Sequence, residues 1–234
     1  MEGFGPRVVF TLPIFDGIPI TDTVVNTWII MAILIGFSII ATRSFGKIPR
    51  GIQNATEALV DVLNKLTVQT MGEDKVFFAP YIGTLFLFLL LANLWGLIGF
   101  RQPTADINTT FGLAILTFVA IHGFGTKRKG VGGYLKGFLQ PLPFMLPLNI
   151  IGELATPISL AFRLFGNMVG GFIIMALLYG GLTSLSGALG LSFFPVLQAG
   201  IPVVFHLYFD LFSGVLQTFI FVMLSMVFIS MAMD

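Results

Sequence analysis

Five long apolar blocks separated by short polar stretches organise this chain. After an N-terminal segment of residues 1–23, the first block runs from about Val24 to Thr42, and Arg43, Lys47 and Arg50 follow at once. Residues 51–70, GIQNATEALVDVLNKLTVQT, read differently. Their apolar positions Ile52, Ala55, Leu59, Val62, Leu63 and Leu66 recur at helical spacing, and Glu57, Asp61, Asn64 and Lys65 fill the gaps. The pattern predicts an amphipathic helix lying at the membrane interface or leading into the next span. A second span (about 76–100) and a third (about 109–125) are joined by the polar loop Arg101–Asn108. Lys127, Arg128 and Lys129 then mark a basic loop, with Gly130–Gly133 read as a flexible connector, and Pro141, Pro143 and Pro147 punctuate the approach to the fourth block.

The last two blocks, 144–182 and 195–233, are too long for an upright crossing. At 1.5 Å per residue each would reach about 57 Å as a helix, against a hydrocarbon core of about 30 Å. Pro157 and Pro202 are candidate kinks, but no polar linker interrupts either block. Two long, strongly tilted helices forming an antiparallel hairpin are predicted. The fold class is thus an all-α polytopic membrane protein: one membrane domain of about five spans plus an interfacial helix.

Composition agrees. Of 234 residues, 56% are hydrophobic and 10% are charged, where a soluble domain carries roughly 25% charged residues. With no cysteine there is no disulfide or thiolate metal site, and His122 and His206 are too few and too far apart for a histidine metal centre. No cofactor is expected. MEGFGPRVVF lacks the layout of a removable signal peptide. If the N-terminus lies outside, nine Lys and Arg fall on cytoplasmic segments and two, Arg7 and Arg101, on outer ones. That bias predicts a cytoplasmic C-terminus.

The twelfth basic residue, Arg163, lies inside the fourth block, in PISLAFRLFGNMVGG. A guanidinium near a bilayer centre costs at least about 2.5–3.5 kcal/mol, so it either serves an ion path or is structural, snorkelling or pairing with Glu153. On a helix Asn167 and Gly170 lie within about 40° of it, giving a small, polar stripe that another helix can approach closely. Glu153 is about 15 Å along the axis, too far to neutralise the charge on a straight helix. It lines a separate wet passage or makes a structural hydrogen bond. On the last block His206, Asp210 and Gln217 fall on one stripe about 16 Å long. Such a stripe suits a proton or small-cation path; helix–helix hydrogen bonding is the alternative, and for His206 simple packing is as good a reading. The two polar stretches would open to opposite sides with a fixed cation between them. A self-contained ion-coupled transporter would also use such groups, although the two halves show no repeat.

PISLAFRLFGNMVGG, the C-terminal LQTFIFVMLSMVFISMA and the outer-loop PTADINTT together resemble subunit a of the rotary F-type ATP synthases, from about Ile52 to the end of the chain. The resemblance implies a stator ion-channel subunit with two offset half-channels that pass protons or Na+ to and from the carboxylates of a c-subunit ring. Arg163 would face that ring and keep the half-channels apart. Asn167 and Gln217 would be its polar neighbours, Asp210 a group of the outer half-channel, and Glu153 an acid of the inner one. Asp106 and Asn108 would lie near the outer mouth, with Gly166, Gly170 and Gly171 close-packed at the rotor. Many bacterial members carry an acid after the glycine at 171; here it is Phe172, which shifts weight to Asp210 and His206. The implied partners are the c-ring, the b-subunit peripheral stalk, the rest of the synthase and lipid, with no nucleic acid. The implied setting is a bacterial plasma membrane. No phosphate-binding loop is present, so the chain would not be an enzyme on its own.

Overall fold

The computed structural model describes residues 6–13, 17–43, 46, 48–139, 142–190 and 196–234. Lys47, Pro141 and Pro195, used above, lie outside the described residues. Two short antiparallel strands, β1 (Val8–Leu12) and β2 (Ile18–Thr21), precede helix α1 (Asp22–Thr42). The alternation of the N-terminal segment is too short to announce them. Asp22 fastens the hairpin to α1: its N–H donates to the Arg7 carbonyl (2.9 Å) and its Oδ1 accepts from the Arg7 N–H (3.2 Å).

Helix α2 (Ile52–Met71) ends at Gly72, whose φ of 97° is a conformation that glycine adopts without strain. A 3-10 turn, Glu73–Phe78, leads into α3 (Ala79–Leu94), which carries Pro80 in its first turn, where a missing N–H costs nothing. Next come α4 (Ile107–Gly137), α5 (Leu146–Ala188), α6 (Val196–His206), a π-helical turn (Leu207–Phe212) and α7 (Ser213–Met233). Five stretches are long and apolar enough to cross a bilayer: Asp22–Thr42, Glu73–Ile98, Ile107–Gly137, Pro143–Ala188 and Gln198–Met233. The protein is an all-α polytopic membrane protein.

Three details differ from the sequence pattern. On α2 the inward face runs through Gln53, Leu63, Thr67 and Met71, while Ile52 and Val62 are exposed. The helix sits against α3 and α7, and that packing overrides the apolar stripe. Second, Lys127–Lys129 are helical rather than a loop, and the chain is helical on both sides of Gly130. On one straight helix His122 and Tyr134 would be about 18 Å apart; instead His122 Nδ1 lies 2.5 Å from Tyr134 Oη. The chain reverses at Gly130 (φ 72°, ψ 155°), and Val131–Gly137 folds back along α4. Gly125 makes room, because a Cβ there would lie 2.8 Å from Tyr134 Cε2 and 3.0 Å from the Ala232 carbonyl oxygen. Third, the last block contains the π turn, which under-winds the helix just where His206 and Asp210 sit.

The core gathers Ile82, Leu85 and Leu89 of α3, Ala114 and Ile121 of α4, Leu160 and Leu164 of α5, and Phe221, Val222, Met226 and Ile229 of α7. Asn93 is buried beside it. Its amide donates to Thr218 Oγ1 (2.9 Å) and the Gly214 carbonyl (3.2 Å), and its Oδ1 accepts from Thr104 (2.7 Å). Gly214 lets α7 approach this knot: a Cβ there would already be 3.4 Å from Asn93. The start of α7 is thereby fixed against α3.

Candidate functional site

The site is built on the antiparallel packing of α5 against α6, the π turn and α7. Four contacts give the register. Gln198 Nε2 donates to Thr183 Oγ1 (2.6 Å), Tyr179 Oη lies 3.1 Å from His206 Nε2, Gly171 faces Phe209, and Asn167 Nδ2 donates to Gln217 Oε1 (3.3 Å). Partner numbers fall along one helix as they rise along the other.

Arg163 lies toward the Glu153 end of this hairpin and is exposed. It forms no ion pair with any carboxylate among the described residues, Glu153 included. On the same helix Gly166 and Gly170 look onto open space: a Cβ at either would have no neighbour within 4 Å. Gly171 is turned inward instead, where a Cβ would sit 3.4 Å from Phe209. The strip of α5 carrying Arg163, Gly166, Asn167 and Gly170 is therefore polar, small and uncovered by this chain. Gln217 is buried, and its Nε2 has no partner among the described residues.

Two cavities flank the strip. One, about 510 Å³, is lined by Lys129, Tyr134, Asn149, Glu153 and Thr156 among others. A niche of about 210 Å³ at Arg163 shares Gly152, Thr156 and Phe228 with it, so the Glu153 cavity adjoins the niche at the guanidinium. The other cavity, about 530 Å³, lies toward the α5–α6 connection and is lined by Arg7, Asp22, Arg101, Phe172, Tyr179, His206 and Asp210. His206 Nδ1 is 2.5 Å from Asp210 Oδ2, across the start of the π turn. π turns mark functional positions more often than chance, and this one places Asp210 on the cavity wall while Gln217 turns toward Asn167. The single stripe drawn on an ideal helix is thus divided between two surroundings.

Asp106 is buried. Its Oδ1 caps α4 at the Asn108 N–H (3.0 Å), and its Oδ2 accepts from Thr23 of α1 (2.7 Å). Asn108 is exposed and touches the same carboxylate. Their neighbours Gln102 and Ala105 line the larger cavity. Phe172 lies under the Arg101 guanidinium, 5.7 Å from ring centroid to Cζ, a cation–π arrangement.

The sequence reading gave no role to Tyr179, Asp22, Arg101, Tyr134 or His122. Tyr179 had one available signal: it and His206 stand at similar distances on either side of the helix–helix connection, so any antiparallel hairpin brings them level. Asp22 and Arg101 had none, because only the folded contacts of α1 and the loop before α4 bring them to the cavity.

Residues 24–230 match the family model described as ATP synthase A chain. A relative from Propionigenium modestum, named ATP synthase subunit a, sodium ion specific, is 37% identical over 96% of this chain and 84% of its own length. ATP synthase subunit a of Moorella thermoacetica is 41% identical over 69% of this chain and 75% of its own. ATP synthase subunit a 1 of Pelobacter propionicus is 39% identical over 91% and 88%. With a family model spanning nearly all of its membrane helices, and relatives this similar along most of their length, the chain belongs to the ATP synthase subunit a family.

Proposed function

We propose that the chain is the stator channel of a rotary ATP synthase, carrying ions to and from carboxylates on a neighbouring c-subunit ring through two offset half-channels. The observation that carries this reading is the unpaired Arg163 on an uncovered glycine-bearing strip of α5, with the Glu153 cavity on one side and the His206–Asp210 cavity on the other. An ion enters past His206 and Asp210, loads a ring carboxylate, rides the ring round, and leaves beside Glu153. A peripheral stalk of b subunits holds the chain still, the N-terminus faces outside, and the Glu153 cavity opens to the cytoplasm of a bacterial plasma membrane. Asp106 and Asn108 brace the wall of the outer mouth.

The charge is needed because a carboxylate in an apolar interface takes up a proton. At about 4 Å and an effective dielectric of about 20, an Arg–carboxylate pair gains about 4 kcal/mol, or about three pKa units. Arg163 thus forces each passing carboxylate to release its ion and bars leakage between the cavities. Asn167 and Gln217, whose Nε2 has no partner among the described residues, supply neutral hydrogen-bonding groups beside the exchange point. The relative named sodium ion specific brings Na+ within the reading, alongside protons.

Replacing Arg163 with Ala is expected to abolish ATP synthesis driven by an ion gradient in proteoliposomes, while the complex still assembles and its soluble sector still hydrolyses ATP. Synthesis at the normal rate would refute the role.

A further inference from the structure

We infer that Tyr179 is a proton-transfer residue: its hydroxyl loads His206, so that the cavity at the α5–α6 end accepts hydrogen ions rather than metal cations. The inference rests on reading this cavity as a half-channel.

The geometry lines up three groups that can exchange protons. With Asp210 as a carboxylate, its Oδ2, 2.5 Å from His206 Nδ1, accepts and Nδ1 carries the hydrogen. The neutral ring then has one lone pair left, on Nε2, and that atom lies 3.1 Å from Tyr179 Oη. The tyrosine hydroxyl donates to it. The only basic position of the imidazole is therefore covered by a phenol. The His206 side chain is 38% exposed and that of Asp210 18%, so the carboxylate is the more enclosed end of the chain of contacts, and Tyr179 is 37% exposed. The charged groups lining the cavity are Arg7 before β1, Asp22 on α1, Arg101 before α4 and Asp210 in the π turn, while α5 lines it with Phe172, Tyr179 and other uncharged residues.

A proton arriving in the cavity reaches Nε2 through the hydroxyl. A bond forms between Tyr179 Oη and the incoming proton, the original O–H bond breaks, and that hydrogen bonds to Nε2. Tyrosine ends neutral, His206 becomes imidazolium, and Asp210 stabilises the new charge across Nδ1. One hydrogen ion has left the cavity water, and nothing is oxidised or reduced. Na+ has no counterpart to this exchange of O–H for N–H bonds. A hydroxyl also suits both charge states of the ring, donating to neutral Nε2 and accepting from the imidazolium; a phenyl ring does neither.

The test is potential-driven proton uptake by the complete synthase in proteoliposomes, comparing the parent with Tyr179→Phe across pH. Uptake by the Phe form is expected to fall roughly tenfold or more near neutral pH and to recover toward acid pH, where the higher hydrogen-ion concentration in the cavity replaces the relay. Equal rates at neutral pH would overturn the proposal. Should the Phe form fail to assemble, Tyr179→His and Tyr179→Met, with and without an exchangeable hydrogen, give the same comparison, and equal rates in those two would overturn it. ATP synthesis driven by a Na+ gradient alone would overturn the selectivity. If Arg163→Ala keeps coupled synthesis, the half-channel reading itself falls; if only Tyr179→Phe is silent, the relay alone falls.

Discussion

Asn93→Ala tests what holds α7 in place beside the Asn167–Gln217 contact. Asn93 is fully buried. Alanine removes its three side-chain bonds, to Thr218, Gly214 and Thr104, but keeps the one that its main-chain carbonyl accepts from Gln102 Nε2 (2.7 Å). Hydrogen bonds between membrane helices average about 0.6 kcal/mol, so three amount to about 2 kcal/mol. The Thr104 hydroxyl, 0% exposed, also loses its acceptor, and an orphaned buried hydroxyl costs about 1–3 kcal/mol. The expected loss is about 3–5 kcal/mol. Thr104→Val deletes the orphan, so the Asn93→Ala/Thr104→Val pair should cost at least about 1 kcal/mol less than the two changes added together. Unfolding of the purified chain in mixed micelles by increasing SDS, followed by circular dichroism, measures both quantities. A single-mutant loss below about 1 kcal/mol, or additivity within about 0.5 kcal/mol, would refute the account. Thr218 directly follows Gln217, so loosening this knot should also weaken the Asn167–Gln217 contact and slow ion transport.

Two further predictions concern the opposite end of the bundle. Gly125→Ala places a methyl 2.8 Å from Tyr134 and 3.0 Å from the Ala232 carbonyl oxygen, so it should cost about 1–3 kcal/mol in the same unfolding assay and displace the folded-back segment that walls the Glu153 cavity. Buried Lys75 reaches Ser230 (2.9 Å) and Asp234 (2.5 Å), and that hydrogen bond holds the Asp234 carboxyl below its ordinary 3.8, with the charges of Lys75 and Lys129 adding and desolvation opposing. A lowered folded-state pKa contributes stability that is complete above the unfolded value and lost as pH falls through the folded one. Amide exchange at the end of α7, corrected for intrinsic rate, should therefore accelerate only below about pH 4, and Asp234→Asn should abolish that dependence.

What the sequence made legible, and what it hid, divides along a physical line. The spans, the over-long last blocks and Arg163 are visible because their cost is local: a run of apolar residues, a length against a bilayer, a charge among hydrocarbons. Glu153 and Asp210 stand out for the same reason. Gly130 shows the limit. A glycine at φ 72° serves a slack loop and a sharp reversal equally well, and the difference lies in Tyr134 meeting His122 and Gly125 leaving space, both of them long-range contacts. The π turn is hidden likewise, since nothing in LYFDLF distinguishes it from α-helix and packing alone selects the under-wound turn.

Tyr179 depends on the fold more than any other residue of the cavity. In the sequence it is one aromatic residue in an apolar block, where burial explains it fully. Its hydroxyl acquires a use only when the hairpin register sets it against His206 Nε2, and His206 presents that atom only because Asp210 occupies Nδ1. The costly residues, Arg163 and Asp210, mark where a site must be. The inexpensive one, whose worth exists only in a pairing, is the residue on which the proposed choice of ion turns.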